Sequence, residues 1–491
     1  MRLTGEKRIS KFYKMYLCFQ PLTMDSEREP LLKNKQYSQS ERSIEDNNNN
    51  SSSDVLDRYN PHALDRYDHG YDPHDHRDVE HPTSNTETMI HLLKGNIGTG
   101  ILAMPQAFKD SGLYLGLFGT ILMGLICTHN MHMLLECTHE LCRRNKVTSM
   151  DYSVVLFSAF ETRRLQKYAY AAKFLINTFL FLSQLGFCCV YFLFVATNLQ
   201  DVVKHYCHAI DVRYFLLMLL LPMILLNFLK NLKYLAPVSM FASILTVICI
   251  VIIFYFILSG LPKIDGVPKV ATWRQLPLFF GTVVYAFEGI GVVLPLENNM
   301  KTPQALDGLT GVLNTSMIIT AALYTAIGFY GYLKYGDAVK ATITLNLDPE
   351  YILAQSVRVM FAIAVFLSYS LQFYIPMKII GPWFQRFFKQ QHQKLGDGIL
   401  RVGLIIVTFI LAAVVPKLGP IISLFGAVFS SSLALLIPPL IDFLTFGLQG
   451  MGRFYWRLWK NIAIFVLGVL GFIFGAYASI VELVASDPIE D

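Results

Sequence analysis

The sequence predicts an all-α polytopic membrane protein with eleven transmembrane helices, the first and sixth of them broken near mid-depth. Three observations carry this. Only 16% of the 491 residues are charged and 53% are hydrophobic, whereas a soluble globule carries about 25% charged residues. Eleven apolar segments are each long enough to cross about 30 Å of hydrocarbon. The first and sixth segments carry glycine clusters at their centres, where a helix interior tolerates glycine poorly.

Residues 1–85 are polar and compositionally biased, and read as a disordered tail. An asparagine run at 47–50 meets a serine run at 51–53, and Leu-Asp-Arg-Tyr occurs at 56–59 and again at 64–67. His62, His69, His74, His76 and His81 stand among aspartates, and a solvated tail is the plainer reading than a metal site. No apolar stretch follows the basic residues 1–14 as a signal peptide requires, so the tail is expected in the cytosol. Within it, Glu27, Leu31 and Leu32 fit the acidic dileucine pattern that clathrin adaptors read when routing cargo to lysosomes and late endosomes.

The predicted helices run at about 86–108, 113–140, 169–199, 214–230 and 235–260, then 275–296, 309–333, 352–377, 398–415 and 420–443, and last 460–483. This gives one set of five over 86–260, a second over 274–443, and an added eleventh. With the N-terminus inside, the cytosolic loops hold Arg143, Arg144, Lys146, Arg163, Arg164 and Lys167, then Lys378, Arg386, Lys389 and Lys394, and the outer loops hold fewer cations. That bias is the positive-inside pattern, and it places the acidic C-terminus outside. The sequons at Asn49, Asn50 and Asn314 fall in the tail or in a helix, so none is expected to carry glycan. The net charge of +5 leaves no basic footprint for nucleic acid. Eight cysteines show neither a CxxC pair nor metal-ligand spacing with histidine, and no metal or cofactor is implied.

The first break is Gly95-Asn96-Ile97-Gly98-Thr99-Gly100, and the second is Phe287-Glu288-Gly289-Ile290-Gly291. Unwound backbone at membrane depth is tolerated only where it lines protein or a polar cavity; close packing through small residues is the competing reading. The breaks open successive sets of five helices, and such paired interruptions point to a transporter site at the midplane. Half-helix N-termini suit a carboxylate and freed carbonyls suit an ammonium or a cation. A free α-amino acid carries both charges on one carbon, so it fits such a site better than a sugar. Glu288 within a spanning segment is a functional residue by default, because an unpaired carboxylate there is costly; capping of its own break is the alternative.

The stretch from Ile90 through Lys94 and Gly98 to Pro105 resembles the first-helix signature of proton-coupled amino acid transporters, solute carrier family 36 of the amino acid/auxin permease group. Phe287 to Asn298 resembles their sixth helix, and Leu371-Gln372-Phe373-Tyr374-Ile375-Pro376 their eighth. The likeness covers about 86–483 and implies a LeuT-like 5+5 inverted-repeat fold. It also implies symport of protons with small neutral amino acids such as alanine, glycine and proline, at a plasma membrane or a lysosomal one. The family commonly pairs an outer-loop cysteine after the third helix with one after the seventh; here Cys207 has no counterpart in 334–351.

Gly95, Asn96, Ile97, Gly98, Thr99 and Gly100, with Phe287, Gly289 and Gly291, are the candidate substrate contacts. His91 and Glu288 are the candidates for proton coupling. His91 precedes Gly98 by two turns on one helix face, about 10 Å away, and histidine is the side chain suited to taking up and releasing a proton in the physiological range; packing against a neighbour is its plainer role. Lys94 needs a partner or water at this depth, and Glu288 is one candidate partner. His129, His132 and Glu136 share a helix face with metal-ligand spacing but sit near the interface, where polar residues are cheap. Gln184, Ser368, Tyr369 and Gln372 either line the pathway or bond helix to helix. No nucleophile–base set or phosphate loop points to an enzyme. Two rival readings are an amino-acid sensor signalling through the tail with little transport, and an ion channel, against which the lack of a charged pore ring counts.

Overall fold

The computed structural model describes residues 73, 76, 77, 82–163, 165–206, 210–228, 232–389, 392–447 and 453–485. Glu27, Leu31, Leu32, Cys207 and the acidic C-terminus lie outside the described residues. The described chain is helical throughout apart from loops and one isolated bridge, Thr83 to Met300. Its helices are α1 (Asn85–Asn96), α2 (Thr99–Ser111), α3 (Leu113–Asn145), α4 (Tyr152–Thr162), α5 (Gln166–Tyr206), α6 (Val212–Asn227) and α7 (Leu232–Leu258). Then come α8 (Leu276–Ala286), α9 (Ile290–Asn298), α10 (Val312–Tyr335), α11 (Ile352–Gln385), α12 (Gln393–Val414), α13 (Leu418–Phe446) and α14 (Trp456–Val484).

Nine stretches among the described residues are long and apolar enough to span a membrane, α8 and α9 counting as one. The other two expected spans are present in shorter form. α6 has 16 residues, and the first span is split into α1 and α2, of 12 and 13 residues. The sequence reading has no counterpart for α4, which lies within the basic loop after α3. Its buried face, with Tyr152, Val155, Leu156 and Ala159, packs on α5 and α13, and the Tyr152 hydroxyl donates to Leu433 O at 2.7 Å.

Local chemistry fixes where α1 starts. Ser84 caps it in a reciprocal box with Glu87: the Glu87 N–H donates to Ser84 Oγ at 3.3 Å, and the Ser84 N–H to Glu87 Oε2 at 2.8 Å. α5 is the long scaffold, 41 residues and so about 60 Å, twice the hydrocarbon thickness. α4, α6, α11, α12 and α13 all pack against it. α13 contains two π-helical turns, Gly426–Ser430 and Ser432–Leu436, the kind of irregularity that often marks functional positions.

The broken helices are buried unequally along their length. In α2, 11 of 13 residues are buried, and in α8, 8 of 11; in α1 only Thr88, Leu92 and Asn96 are, and in α9 four of nine. The halves pointing away from the N-terminal face are thus enclosed, while those reaching that face are open along one side. On the enclosed side the loop 336–351 folds inward, with Thr342, Ile343, Thr344 and Leu347 fully buried or nearly so.

On the N-terminal face, charges tie the helices together. Arg457 of α14 donates to both oxygens of Glu136 on α3, at 3.0 and 2.8 Å, and also bonds the buried Asp442 of α13. The last residues before α1 are held there too. Thr83 exchanges backbone bonds with Asn299 and Lys301 beyond α9, at 2.8 and 2.9 Å. Arg77 reaches Glu297 O at 3.1 Å, and His139 lies 2.5 Å from the buried Glu297 carboxylate.

Candidate substrate site

Both predicted breaks are present, and they lie side by side. α1 ends at Asn96 and α2 begins after Gly98, so the first break is Ile97–Gly98. α8 ends at Ala286 and α9 begins after Gly289, so the second is Phe287 to Gly289. Their proximity shows in what a side chain would strike. A Cβ on Gly289 would sit 2.9 Å from Asn96 Oδ1, and one on Gly100 would sit 2.8 Å from Ala286 Cα. Gly100 therefore serves the close crossing of α2 over α8, the small-residue packing reading, while Gly98 makes the break itself.

The predicted residues divide accordingly. Asn96 is buried; its amide donates to Leu92 O at 2.9 Å and its Oδ1 has no partner among the described residues. Thr99 Oγ1 lies 3.1 Å from the hydroxyl of Tyr285, joining α2 to α8. Ile97 and Gly98 stay partly open, and Gly95 faces Val292 of α9 at 3.4 Å from its would-be Cβ. Gly291 has ordinary room, 3.5 Å from Leu180. Phe287 turns its ring away into the core, fully buried against Tyr324 at 4.9 Å between centroids and against Gly124 of α3, so only its backbone is left for the break. No side chain caps α2 or α9 at the N-terminus.

Glu288 does not cap its own break. Its Oε1 accepts from Ser183 of α5 at 2.7 Å, and its Oε2 accepts from Ser430 in the first π-helical turn of α13. Nor does it meet Lys94. The Lys94 ammonium donates instead to the backbone carbonyl of Ser239 on α7 at 2.6 Å, and to that serine's hydroxyl. The expected Lys94–Glu288 pair is thus corrected: the two residues leave the breaks toward different helices. His91 is exposed on the open side of α1, without a hydrogen-bond partner among the described residues.

Three tyrosines complete the site, and the sequence reading passed over them all. The Tyr191 hydroxyl of α5 lies 3.1 Å from where a Gly98 Cβ would be, and Gln372 of α11 donates to it at 3.3 Å. The ring of Tyr285 packs on Phe187 at 4.6 Å. Tyr324 of α10 reaches the ends of both breaks. Apolar context hides tyrosines in a sequence, because each counts as core until its hydroxyl is placed. Ser430 left a weak signal, since Ser430, Ser431 and Ser432 form a polar run inside an apolar segment. Of the other polar residues singled out, Tyr369 bonds Thr408 at 2.9 Å, helix to helix, Gln184 is buried one residue from Ser183 with no partner for its Oε1 among the described residues, and Ser368 is partly buried. His132 pairs with Asp307 and Asn314, at 2.6 and 2.8 Å, and Glu136 with Arg457, so the apparent metal face is drawn apart.

Comparison with known proteins places the chain in a family. The family model for the transmembrane amino acid transporter protein matches residues 81–481. The chain belongs to the transmembrane amino acid transporter family. It is 40% identical over 417 residues to the proton-coupled amino acid transporter-like protein pathetic of Drosophila melanogaster, covering 84% of this chain and 88% of that one. It is 26% identical over 416 residues to the probable amino acid transporter skat-1 of Caenorhabditis elegans, covering 82% and 90%. Among solved structures, the inward-facing conformation of Mhp1 aligns with TM-score 0.50 at 13% identity, over 84% of this chain and 90% of that one. At that identity the likeness concerns the fold alone, and the fold is the LeuT-like one that the family resemblance implied. The protein is a membrane transporter and not an enzyme.

Proposed function

We propose that this transporter carries small neutral amino acids, alanine, glycine and proline among them, together with protons, by alternating access around the two breaks. The observation that carries the reading is the contact of the two breaks, Asn96 against Gly289, beside the carboxylate of Glu288. The uncapped N-terminus of α2 is the place for the substrate carboxylate, with Tyr191 beside it. The carbonyls freed where α8 ends are the place for the ammonium. Glycine at 98, and Gly289 and Gly291 beyond, leave little more than the backbone there, which suits a small side chain.

Glu288 is the proton carrier in this reading. A serine hydroxyl donates or accepts, so Ser183 and Ser430 satisfy the carboxylate when ionised and the carboxylic acid when protonated. Neither state leaves an orphaned polar group, so a proton can come and go without breaking the site. His91, exposed two turns below the break, takes the proton on toward the N-terminal face, which we place in the cytosol on its basic residues. The enclosed α2 and α8 halves and the open α1 and α9 halves correspond to access from that face. The name of the Drosophila relative agrees with proton coupling.

The test is uptake of labelled alanine into proteoliposomes of the purified protein, with and without an inward proton gradient. Uptake that rises with the gradient and collapses with a protonophore is the expected result; binding without gradient-driven uptake refutes symport. Gly98→Val is expected to cut uptake by at least about tenfold at unchanged protein level, because its two methyls enter the space before the Tyr191 hydroxyl. Normal uptake by that variant would remove the first break from the site.

A further inference from the structure

Tyr324 is the only described residue whose side chain bonds the ends of both broken helices. It is fully buried on α10, and its hydroxyl lies 2.5 Å from Asn96 O and 2.8 Å from Ala286 O. These are the last residues of α1 and α8. Both carbonyls sit at the negative end of a helix dipole, and the breaks remove the N–H groups one turn on that would otherwise have bonded them; Asn96 O keeps only the Gly98 N–H two residues ahead, at 3.0 Å. Two such oxygens converging on one point repel each other unless a donor stands between them. In this chain the donor is a phenolic O–H from a third helix. The ring is fixed from the side by Phe287, 4.9 Å away between centroids and itself part of the second break.

We propose that Tyr324 is a positioning residue that clasps the two breaks, its single proton shared between the C-terminal carbonyls of α1 and α8. It holds the two half-helices at the separation a bound amino acid needs, and it makes a movement of α1 felt at the second break. The clasp is neutral, so the two helix ends are joined with no coupling cation between them. The inference rests on the reading that substrate sits between the breaks.

Tyr324→Phe removes the oxygen and leaves the ring. Two measurements on the full-length protein in proteoliposomes test the clasp. The first is amide hydrogen exchange, which needs no substrate. Peptides covering 92–100 and 284–292 are expected to exchange together, at least about tenfold faster than in wild type, because each loses the same donor. Peptides from α5 and α14 are expected to stay unchanged. The second is labelled alanine uptake, where KM is expected to rise about tenfold while the maximal rate stays within about twofold. A merely structural role would lower the amount of active protein, and so the maximal rate, at constant KM.

Exchange that rises at one break alone, or at neither, overturns the clasp, as does a KM equal to wild type. If wild type takes up no alanine, the reading of the substrate fails while the exchange result still decides the clasp. Should Tyr324→Phe not accumulate, 3-fluorotyrosine at 324 replaces it, a stronger donor of nearly the same shape. Slower exchange at both breaks supports the clasp, and unchanged exchange at either one overturns it.

Discussion

Glu288→Gln is expected to abolish proton-driven accumulation of alanine while leaving exchange of alanine for alanine within about threefold of wild type. The glutamine amide has the shape of the carboxyl. Its oxygen accepts from one of Ser183 and Ser430 and its nitrogen donates to the other, so the bonds to α5 and α13 persist. What is lost is the ability to gain and release a proton. A carrier frozen in a neutral state still cycles with substrate bound on both sides, but a gradient gives it no direction. The pH dependence of uptake should flatten for the same reason. Proteoliposomes with alanine on both sides and no gradient measure exchange; the same vesicles with an inward gradient and no internal alanine measure accumulation. If the variant accumulates alanine as wild type does, the coupling proton lies elsewhere, and His91 becomes the residue to replace. If exchange is lost as well, Glu288 shapes the substrate site beyond carrying a proton.

The placement of Glu288 shows what the sequence could and could not convey. Its position in an apolar segment beside Gly289 and Gly291 marked it, because such a carboxylate needs a reason to be there. The two breaks were legible on the same ground, as runs of glycine where a helix should not have them. The partners were not. Lys94 and Glu288 are opposite charges near adjacent breaks, and pairing them in sequence is natural. In the fold Lys94 turns to Ser239 on α7 and Glu288 turns between α5 and α13. A break frees each residue from the direction its helix would have imposed, so spacing stops predicting facing at the breaks. Tyr191, Tyr285 and Tyr324 were missed for a different reason. Their rings obey the apolar pattern of their helices, and only the neighbouring backbone shows that their hydroxyls matter. α4 was missed because its apolar face occupies one side of a short loop segment flanked by basic residues.

Arg358→Met is expected to release the loop 336–351 from the enclosed face and to abolish uptake. Arg358 is 1% exposed and lies one turn and a half into α11. Its guanidinium donates to Thr344 O at 3.0 Å and Leu347 O at 2.5 Å, to Gln355 Oε1 at 3.2 Å, and pairs with Asp201 of α5 at 3.0 Å. One side chain thus anchors two loop carbonyls and the scaffold helix at once, using the planar fork that lysine lacks. Methionine fills much of the volume but supplies no donor. Removing one partner from such a buried set costs on the order of 3 kcal/mol, which is more than a hundredfold in an open-to-closed ratio at about 1.4 kcal/mol per tenfold. A cysteine placed at Thr344, which is fully buried, reports the opening through an impermeant maleimide added to that face. Labelling should be slow in the otherwise native protein and at least about tenfold faster with Arg358→Met. Asp201→Asn should do less, because Arg358 keeps both loop carbonyls and Gln355, and Asp201 is the more exposed of the pair, with its side chain at 24% against 1%. Equal labelling in the two backgrounds would mean that the loop is held by its own apolar burial, through Ile343 and Leu347, and that the arginine contributes no closure. Fast labelling with uptake intact would separate loop closure from transport, and closure of this face would then lie with α2 and α8, which Gly100 and Ala286 already bring within a van der Waals contact.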